Sequence, residues 1–312
     1  MSLRLECLSH APLRGYYDPA PAVLQEVERA QKAARSRVEA FDPELVIVFA
    51  PDHYNGFFYE LMPQFALGVE ADAIGDFKSL AGPLRVPKQL ALDAARDVLN
   101  SGVDLAVSYR MQVDHGCAQA LEVLTGALDR YPVLPVFINS VAPPMAPCHR
   151  VRLLGEAMGA FALSTGKRVL VVGSGGISHE PPVPEMATAA PEVQERLIAG
   201  RNPSAADRAA RQERTIAAGR SFAAGTSSLH ELNPEWDQAF LKLMASGDID
   251  AVDRYSDDWI TKEGGKSAHE IRTWIAAFAA MSVGGPYDAS IEYYGPIKEW
   301  IAGFAIMQAK PH

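Results

Sequence analysis

Short runs of β-branched and aliphatic residues alternate with longer helical stretches through the first 180 residues of this 312-residue chain. This alternation predicts an α/β fold with a mostly parallel central sheet flanked by helices, because parallel strands are joined by crossover helices. Several runs are continuously apolar, which is typical of strands buried on both faces. The predicted strands are residues 3–8, 45–50, 105–108, 133–138 and 168–172. The predicted helices are residues 21–40, 87–100, 118–128 and 151–163.

The amino-acid composition changes after Gly173. Residues 181–184, Pro-Pro-Val-Pro, must be extended, and residues 191–243 are rich in Ala, Arg, Glu and Gln with few strand signals. This composition predicts a helical excursion in the C-terminal half, at about residues 185–260. A strong helix is predicted at 267–282, followed by an aromatic tail. With no internal repeat or linker, we expect residues 1–312 to form a single elaborated catalytic α/β domain.

The charge balance and the cysteine content argue against several classes of protein. Lys and Arg total 29 against 38 Asp and Glu, and this net charge of −9 makes nucleic acid an improbable partner. The scattered Cys7, Cys117 and Cys148 form no C-x-x-C pair, so they predict neither a disulfide framework nor a zinc knuckle. No run approaches the roughly 20 apolar residues that cross a bilayer, and residues 1–13 do not resemble a secretion signal. We therefore expect a cytoplasmic protein with no membrane role.

Four of the eight histidines share one position in the pattern, after a predicted strand. They are His10 after the first strand, His53 after the second, His115 after the third and His179 after the fifth. Ligands of open parallel sheets bind beyond the carboxyl ends of the strands, so these residues are expected to gather at one rim. A lone loop histidine is usually a surface or hydrogen-bonded residue. Four together favour a metal or proton-transfer centre, because neighbouring buried imidazoles cannot all be protonated at low cost.

The glycine-rich segment 173–179, Gly-Ser-Gly-Gly-Ile-Ser-His, matches neither of two common motifs. Ser178 stands where G-x-G-x-x-G requires its third glycine, and Pro181 interrupts the helix that should follow. Neither Ser174 nor Ser178 has the two flanking glycines of a nucleophile elbow. The glycines are instead expected to let the backbone pass close to a ligand and to deliver His179 to the rim.

A metal site with two histidines also requires a carboxylate, and Glu270 is the foremost candidate. Ser267 and Glu270 have the spacing of a capping box at the head of a helix, which is a sufficient structural reason for the glutamate. Rival carboxylates are Glu60, Glu122 and Asp114. Two histidines and one carboxylate suit non-haem Fe(II) oxygen chemistry, and the same set also holds catalytic zinc.

Five separated motifs together resemble the class III extradiol catechol dioxygenases, the family of protocatechuate 4,5-dioxygenase. They are Leu-Ser-His at 8–10, Ala-Pro-Asp-His-Tyr-Asn-Gly-Phe-Phe at 50–58, Val-Asp-His-Gly at 113–116, Gly-Ser-Gly-Gly-Ile-Ser-His at 173–179 and His-Glu-Ile at 269–271. The resemblance extends over essentially the whole chain, including residues 232–237 and 296–304.

The resemblance implies a site for Fe(II) with an acid–base pair beside it. The implied metal ligands are His10, His53 and Glu270. The implied acid–base residues are His115 and His179, supported by Asp114 and Pro181. In this scheme His179 accepts a proton from the catechol, and His115 is the acid that assists O–O cleavage.

The resemblance also implies a catechol substrate that O2 opens beside the diol. The expected substrates are 3-(2,3-dihydroxyphenyl)propionate and its dihydroxycinnamate analogue, in phenylpropionate catabolism. The alternative within the family is a dioxygenase for another catechol. The alternatives outside this activity are a zinc hydrolase and a non-enzymatic binding protein of the same fold. A side-chain carboxylate needs a cationic or donor partner, which the sequence does not locate. Arg14, Tyr16 and Arg110 are candidates only because they lie near strand-end loops. A homo-oligomer is implied by the resemblance alone.

Overall fold

The computed structural model describes residues 2–312, which form an eight-stranded sheet, a three-stranded sheet and flanking helices. The strands are β1 (Ser2–Leu8), β2 (Leu45–Ala50), β3 (Phe65–Gly68), β4 (Ala71–Ile74), β5 (Ala81–Pro83), β6 (Ala106–Ser108), β7 (Met111–Val113), β8 (Val133–Ile138), β9 (Arg168–Ser174), β10 (Tyr287–Ile297) and β11 (Ala302–Pro311). The helices are α1 (Pro21–Phe41), α2 (Lys88–Asn100), α3 (His115–Thr125), α4 (Cys148–Ser164), α5 (Pro191–Ala199), α6 (Ala205–Ala223), α7 (Pro234–Ser246), α8 (Asp257–Gly264) and α9 (Ile271–Ser282). Short 3-10 turns lie at Asp76–Lys78, Ile249–Arg254, Ala268–Glu270 and Lys298–Trp300.

The large sheet has the strand order β10-β11-β1-β9-β2-β8-β3-β6, and its centre is parallel. Strand β1 pairs in parallel with β9, β9 with β2, and β2 with β8. Every residue of β2 and β8 is buried, because helices cover both faces of these strands. The predicted α/β fold with a mostly parallel central sheet is therefore confirmed.

The C-terminal hairpin is the largest element that sequence reasoning missed. Residues predicted only as an aromatic tail form β10 and β11, which pair antiparallel and place β11 beside β1. Gly295 and Pro296 interrupt the β10 pattern, and β10 is an edge strand whose residues are mostly half-buried. The four short strands β3, β4, β5 and β7, of three or four residues each, were also not predicted.

Helix α9 is the central buried helix, and its position depends on close packing against α4. All its residues from Ile271 to Met281 are buried. A Cβ atom at Gly155 of α4 would lie 2.2 Å from the carbonyl oxygen of Ala276, and one at Gly159 would lie 2.3 Å from that of Ala280. Only glycine permits this approach of the two backbones. The contact fixes the position of α9, which follows directly after Glu270.

The predicted helical excursion is confirmed as a series of helices before α9. Helices α5 and α6 are largely exposed, since α5 buries only Leu197 and α6 buries only Gly219 and Phe222. Helix α7 buries one face, including Trp236 and Phe240, in the core. None of the helices in residues 2–312 has the length and apolar character needed to cross a membrane.

Candidate metal and catalytic site

Three adjacent strands deliver three histidines to one point. Strands β1, β9 and β2 are neighbours in the sheet, and His10, His179 and His53 follow their carboxyl ends. The three side chains are buried, and the rings of His10 and His53 lie edge to face with their centroids 5.4 Å apart. The structure therefore brings His10, His53 and His179 together at one edge of the sheet, as the sequence predicts. We refer to the loops after β1, β9 and β2 as the rim.

His115 reaches the same place by a route that differs from the expected one. It does not follow the 105–108 strand of the large sheet; it begins α3 directly after β7 of the small sheet. Asp114 caps this helix, because its Oδ1 accepts a hydrogen bond of 2.9 Å from the backbone N–H of Gly116. The ring of His115 stacks on that of His53, with the centroids 4.6 Å apart. Four imidazoles therefore share one buried cluster.

The carboxylate of Glu270 lies at the centre of this cluster and is fully buried. Its Oε1 is 3.0 Å from Nε2 of His53 and 3.2 Å from Nε2 of His179, and its Oε2 is 3.5 Å from Nε2 of His10. The backbone N–H of Gly176 donates to Oε2 at 2.9 Å. The alternative capping role has no support in the structure, because Ser267 makes no side-chain capping hydrogen bond.

The histidine cluster holds Glu270 ionised. Burial opposes the charge, but the imidazoles of His179 and His10, with hydrogen bonds from His179 and His53, outweigh it and keep the pKa of Glu270 well below its usual range. Burial beside two other imidazoles lowers the pKa of His10 to about 3, so its ring is neutral at pH 7. A neutral imidazole at His10 and an ionised carboxylate at Glu270 are the protonation states that metal ligands need. At His53, burial is outweighed by the carboxylates of Asp114 and Glu270, which raise its pKa well above its usual range, so a metal ion would bind there by displacing the proton of His53.

The four histidines are oriented by partners on their Nδ1 atoms. These partners are Ser174 Oγ for His10 at 3.2 Å, Asp114 Oδ2 for His53 at 2.9 Å, Asp76 Oδ2 for His115 at 2.6 Å and the Ile177 carbonyl oxygen for His179 at 3.2 Å. Each Nε2 is thereby left for the centre of the cluster. Metal-binding histidines are commonly held in this way through the other ring nitrogen.

Asp114 supports a different histidine from the one beside it in sequence. Its Oδ2 accepts from the backbone N–H of His53 at 2.8 Å and contacts Nδ1 of the same residue, whereas His115 has Asp76 as its partner. Asp76 also accepts from the backbone N–H of His115 at 2.8 Å. Sequence reasoning missed Asp76, because it lies 39 residues from His115 in an unpredicted loop.

The loop after β2 is shaped by Asp52, whose carboxylate accepts from the backbone N–H groups of Asn55, Gly56 and Phe57. A Cβ atom at Gly56 would lie 2.1 Å from the carbonyl oxygen of Gln112, so the loop packs against β7 only with glycine there. Burial, with the neighbouring Asp114, raises the pKa of Asp52 to about 7. This packing joins the segment that carries His53 to the small sheet that carries His115.

The carboxylates of the candidate donor group formed by Asp76, Asp114 and His115 are already bonded to His115 and His53. Two overlapping sets of metal donors include both His10 and His53. One is His10, His53 and Glu270; the other takes one nitrogen each from His10, His53 and His115, all within 4.8 Å of one another. Only the first set contributes an anionic oxygen, which offsets part of the charge of a divalent cation. Two imidazoles and a carboxylate are the donors of non-haem Fe(II) oxygenases and also of some zinc enzymes. The residues therefore fit such a metal ion.

Two of the three rival carboxylates, Glu60 and Glu122, lie outside the cluster. Glu60 is exposed and 4.0 Å from Arg201, and Oε2 of Glu122 accepts from the backbone N–H of Leu80 at 3.3 Å. Asp114 lies in the cluster, but its oxygens are taken up by His53, Gly116 and Asn55.

The cluster opens into a cavity of about 990 Å³. Pro181 and Tyr54 line it, whereas Phe57 stacks against Phe137 with the centroids 3.9 Å apart. Of the three candidates for a carboxylate partner, only Tyr16 lines this cavity; within residues 2–312 neither Arg14 nor Arg110 does.

Two further segments line the cavity and were not found from the sequence. They are the loop at Asp76–Lys78 and the helical wall, which we define as α5 and α6. Phe77 and Lys78 adopt left-handed φ angles of 46° and 60°, a strained conformation that is common at functional sites. Their residue types give no local signal of this conformation, and α6 was predicted only as part of a helical region.

Comparisons with known proteins give a consistent result. Residues 4–305 match the family model described as the catalytic LigB subunit of aromatic ring-opening dioxygenase. The chain is 68% identical to the 2,3-dihydroxyphenylpropionate/2,3-dihydroxicinnamic acid 1,2-dioxygenase of Cupriavidus pinatubonensis, covering 100% of this chain and 99% of that one. It is 54% identical to the protein of the same name from Azotobacter vinelandii, covering 99% of each chain. The crystal structure of an uncharacterized Escherichia coli K12 protein is similar in fold, with a TM-score of 0.51 and 13% identity over 99% of each chain.

Proposed function

The chain belongs to the LigB family of extradiol ring-opening dioxygenases, and from this we propose that it opens the ring of 3-(2,3-dihydroxyphenyl)propionate and its dihydroxycinnamate analogue with O2. The substrate is proposed because relatives 54% and 68% identical over almost the whole chain carry these two compounds in their names. The expected product of the propionate is 2-hydroxy-6-oxonona-2,4-dienedioate. Both oxygen atoms of O2 enter this product, since one completes the ring-opened ketone and the other the new carboxylate.

The single observation that carries the proposal is the buried carboxylate of Glu270 among three imidazole Nε2 atoms at 3.0 to 3.5 Å. A buried carboxylate at such a point is costly unless it is paired, and a divalent cation is a suitable partner. We infer that His10, His53 and Glu270 hold Fe(II). Held by these residues, Fe(II) would supply one-electron transfer between a catechol and O2.

The two histidines outside this ligand set are suited to proton transfer. His179 lies at the rim with its Nδ1 on the Ile177 carbonyl oxygen, which leaves Nε2 to accept a proton from a catechol hydroxyl. His115, held by Asp76, presents its ring to the same cavity and is proposed as the acid that assists O–O cleavage. Pro181 and Asp114 keep their proposed supporting roles, Pro181 at the cavity wall and Asp114 through His53.

We also infer a cytoplasmic location and a homo-oligomeric state. The location is supported by Cys7, Cys117 and Cys148, which are buried free thiols. The oligomeric state rests on the family resemblance. Sedimentation of the purified protein tests it, and a monomer at micromolar concentration would contradict it.

Oxygen uptake tests the proposed reaction. Protein reconstituted anaerobically with Fe(II) is given 3-(2,3-dihydroxyphenyl)propionate, and O2 consumption is followed beside the visible absorbance of the yellow ring-opened product. We expect one O2 consumed for each product formed. Iron binding without either signal across a panel of catechols would contradict the proposal, and activity with Zn(II) in the absence of O2 would indicate a hydrolase.

A further inference from the structure

We propose that Arg211 of α6 binds the side-chain carboxylate of the substrate and so selects carboxylated catechols over neutral ones. This inference rests on the function proposed above. It concerns a part of the cavity that neither the metal donors nor the acid–base pair occupies.

The charges along the cavity favour an anionic ligand. One lysine and four arginines line it, against three carboxylates, although the chain as a whole has a net charge of −9. The carboxylates already have partners, since Glu270 lies among the histidines, Asp76 binds His115 and Asp207 accepts from Ser204. The cavity therefore has an excess of positive charge, which attracts anions and raises their local concentration.

Arg211 is a lining cation that is hydrogen-bonded to the segment carrying a metal donor. Its Nη2 donates to the backbone carbonyl oxygen of His53 at 2.6 Å, and its Nη1 donates to Oδ1 of Asn55 at 3.3 Å. Both contacts fix the guanidinium plane beside the segment that carries His53. The side chain is half-buried, and within residues 2–312 it forms no ion pair.

A guanidinium has five N–H donors, and these two contacts use only two of them. The remaining N–H donors of the Arg211 guanidinium are therefore free for a ligand, and the two existing contacts already fix their orientation. A carboxylate is the ligand that such a planar donor set binds best, through two parallel hydrogen bonds. Because the arginine is ordered before the substrate arrives, little side-chain entropy is lost on binding.

The other lining cations are less suited to this task. Nζ of Lys78 donates to the Gly15 carbonyl oxygen at 2.8 Å and lies 3.9 Å from the ring centroid of Tyr16, at an exposed position. Arg196 of α5 and Arg208 and Arg214 of α6 lie at exposed positions, where a carboxylate would remain in contact with water. Exposed ion pairs contribute little to binding, whereas half-buried ones contribute more.

The test compares two substrates that differ only in the carboxylate. Wild-type protein, Arg211→Met and Arg211→Lys are assayed with 3-(2,3-dihydroxyphenyl)propionate and with 3-propylcatechol, and anaerobic dissociation constants are measured beside kcat and KM. For Arg211→Met we expect roughly a 10- to 100-fold loss in kcat/KM with the propionate, mainly through KM, and less than about a threefold loss with propylcatechol. Arg211→Lys should recover part of the loss, because it keeps the charge but not the planar fork. Arg220→Met, an exposed change on the same helix outside the cavity lining, is the matched control.

Three results would overturn the inference and leave the proposed function standing. Equal losses with both substrates would show that Arg211 only supports the His53 segment. If Lys78→Met loses kcat/KM only with the propionate and Arg211→Met does not, the substrate carboxylate binds at Lys78 and not at Arg211. Wild-type protein that opens both catechols equally well would leave the ring-cleavage proposal intact while removing the carboxylate site. Failure of the wild type with both substrates would instead contradict the proposed function itself, and this inference with it.

Discussion

The rim and the helical wall are built in opposite ways. At the rim and in the turn before α9, His10, His53 and Glu270 are each less than 10% exposed, and each is held by a hydrogen bond from outside the metal position. In the helical wall, α6 buries only two residues and presents arginines to water and to the cavity. Burial therefore fixes the metal donor atoms in place, whereas an exposed helix supplies the surface that we propose recognises the substrate.

This contrast has a physical reason. A buried polar group must be fully hydrogen-bonded, so each donor at the rim depends on several others and tolerates little change. Residues of an exposed helix need few such hydrogen bonds, because water can satisfy their polar groups. Most substitutions there therefore have small effects on the free energy of unfolding. Changes at the rim should therefore alter metal binding or chemistry, and changes in the wall should alter substrate preference.

The largest effect is expected from His53→Ala. The substitution removes an imidazole whose Nε2 lies 3.0 Å from Glu270, so the protein should lose its iron and all measurable turnover. Metal analysis after gel filtration measures the loss. The control is His149→Ala, an exposed histidine outside the cluster, which should keep a full complement of iron. Iron retained by His53→Ala would remove His53 from the ligand set.

Removing an acid–base histidine should separate chemistry from metal binding. His179→Gln and His115→Gln should each keep iron but lose about 10²- to 10⁴-fold in kcat, the usual contribution of a general acid or base. Iron content and single-turnover rates of the same preparations measure both quantities. Loss of iron from His115→Gln, with little loss from Glu270→Gln, would favour the donor set of three histidines.

A smaller effect distinguishes the two outer carboxylates. Asp114→Asn weakens the support of His53 and should lower iron affinity by about 10- to 100-fold, the usual range for such outer partners. Asp76→Asn touches His115 instead, so it should lower kcat with little change in iron affinity. Competitive chelation titrations beside steady-state kinetics separate the two. The opposite assignment of effects would mean that the partners seen in the structure are not those used in catalysis.

The smallest effect concerns Asp237 of α7, which connects the helical excursion to the rim. Its carboxylate accepts from the backbone N–H and the hydroxyl of Ser178 and from the hydroxyl of Tyr294, at 2.7 to 2.9 Å. Burial, opposed by these hydrogen bonds, raises its pKa to about 6. Because the folded-state pKa lies above the unfolded value, the stability that the protonated carboxyl provides is lost as pH rises through about 6.

Asp237→Asn removes this titration. Relative to the variant, wild-type protein should lose about 1 kcal/mol of unfolding free energy between pH 5 and pH 7. Denaturant unfolding of both proteins at the two pH values measures the difference. A pH-independent difference would mean that Asp237 is already ionised at pH 5 in the folded protein.

The parallel centre of the sheet could be predicted because its strands are recognisable from their own apolar sequences. Residues 45–50 and 133–138 are uninterrupted apolar runs and match β2 and β8 at both ends. The β10–β11 hairpin could not be predicted in the same way, since β10 lies at the edge of the sheet and has no strict alternation. Its existence depends on β1 offering a free edge, which is a property of the tertiary fold.

The site was predictable to the same extent and for the same reason. His10, His53 and His179 follow strands that are visible in the sequence, so their meeting could be expected. The partnership of His115 with Asp76 could not, because it joins two segments through the small sheet. The choice between capping and metal binding at Glu270 depends on one rotamer, which the N–H of Gly176 favours.

Anomalous diffraction at the iron edge from crystals of the Fe(II)-loaded protein tests the central claim most directly. The account predicts one iron peak within bonding distance of Nε2 of His10, Nε2 of His53 and a carboxylate oxygen of Glu270, with His115 and His179 outside that distance. A peak bonded to His115 in place of Glu270, or no iron peak in the cluster, would contradict it.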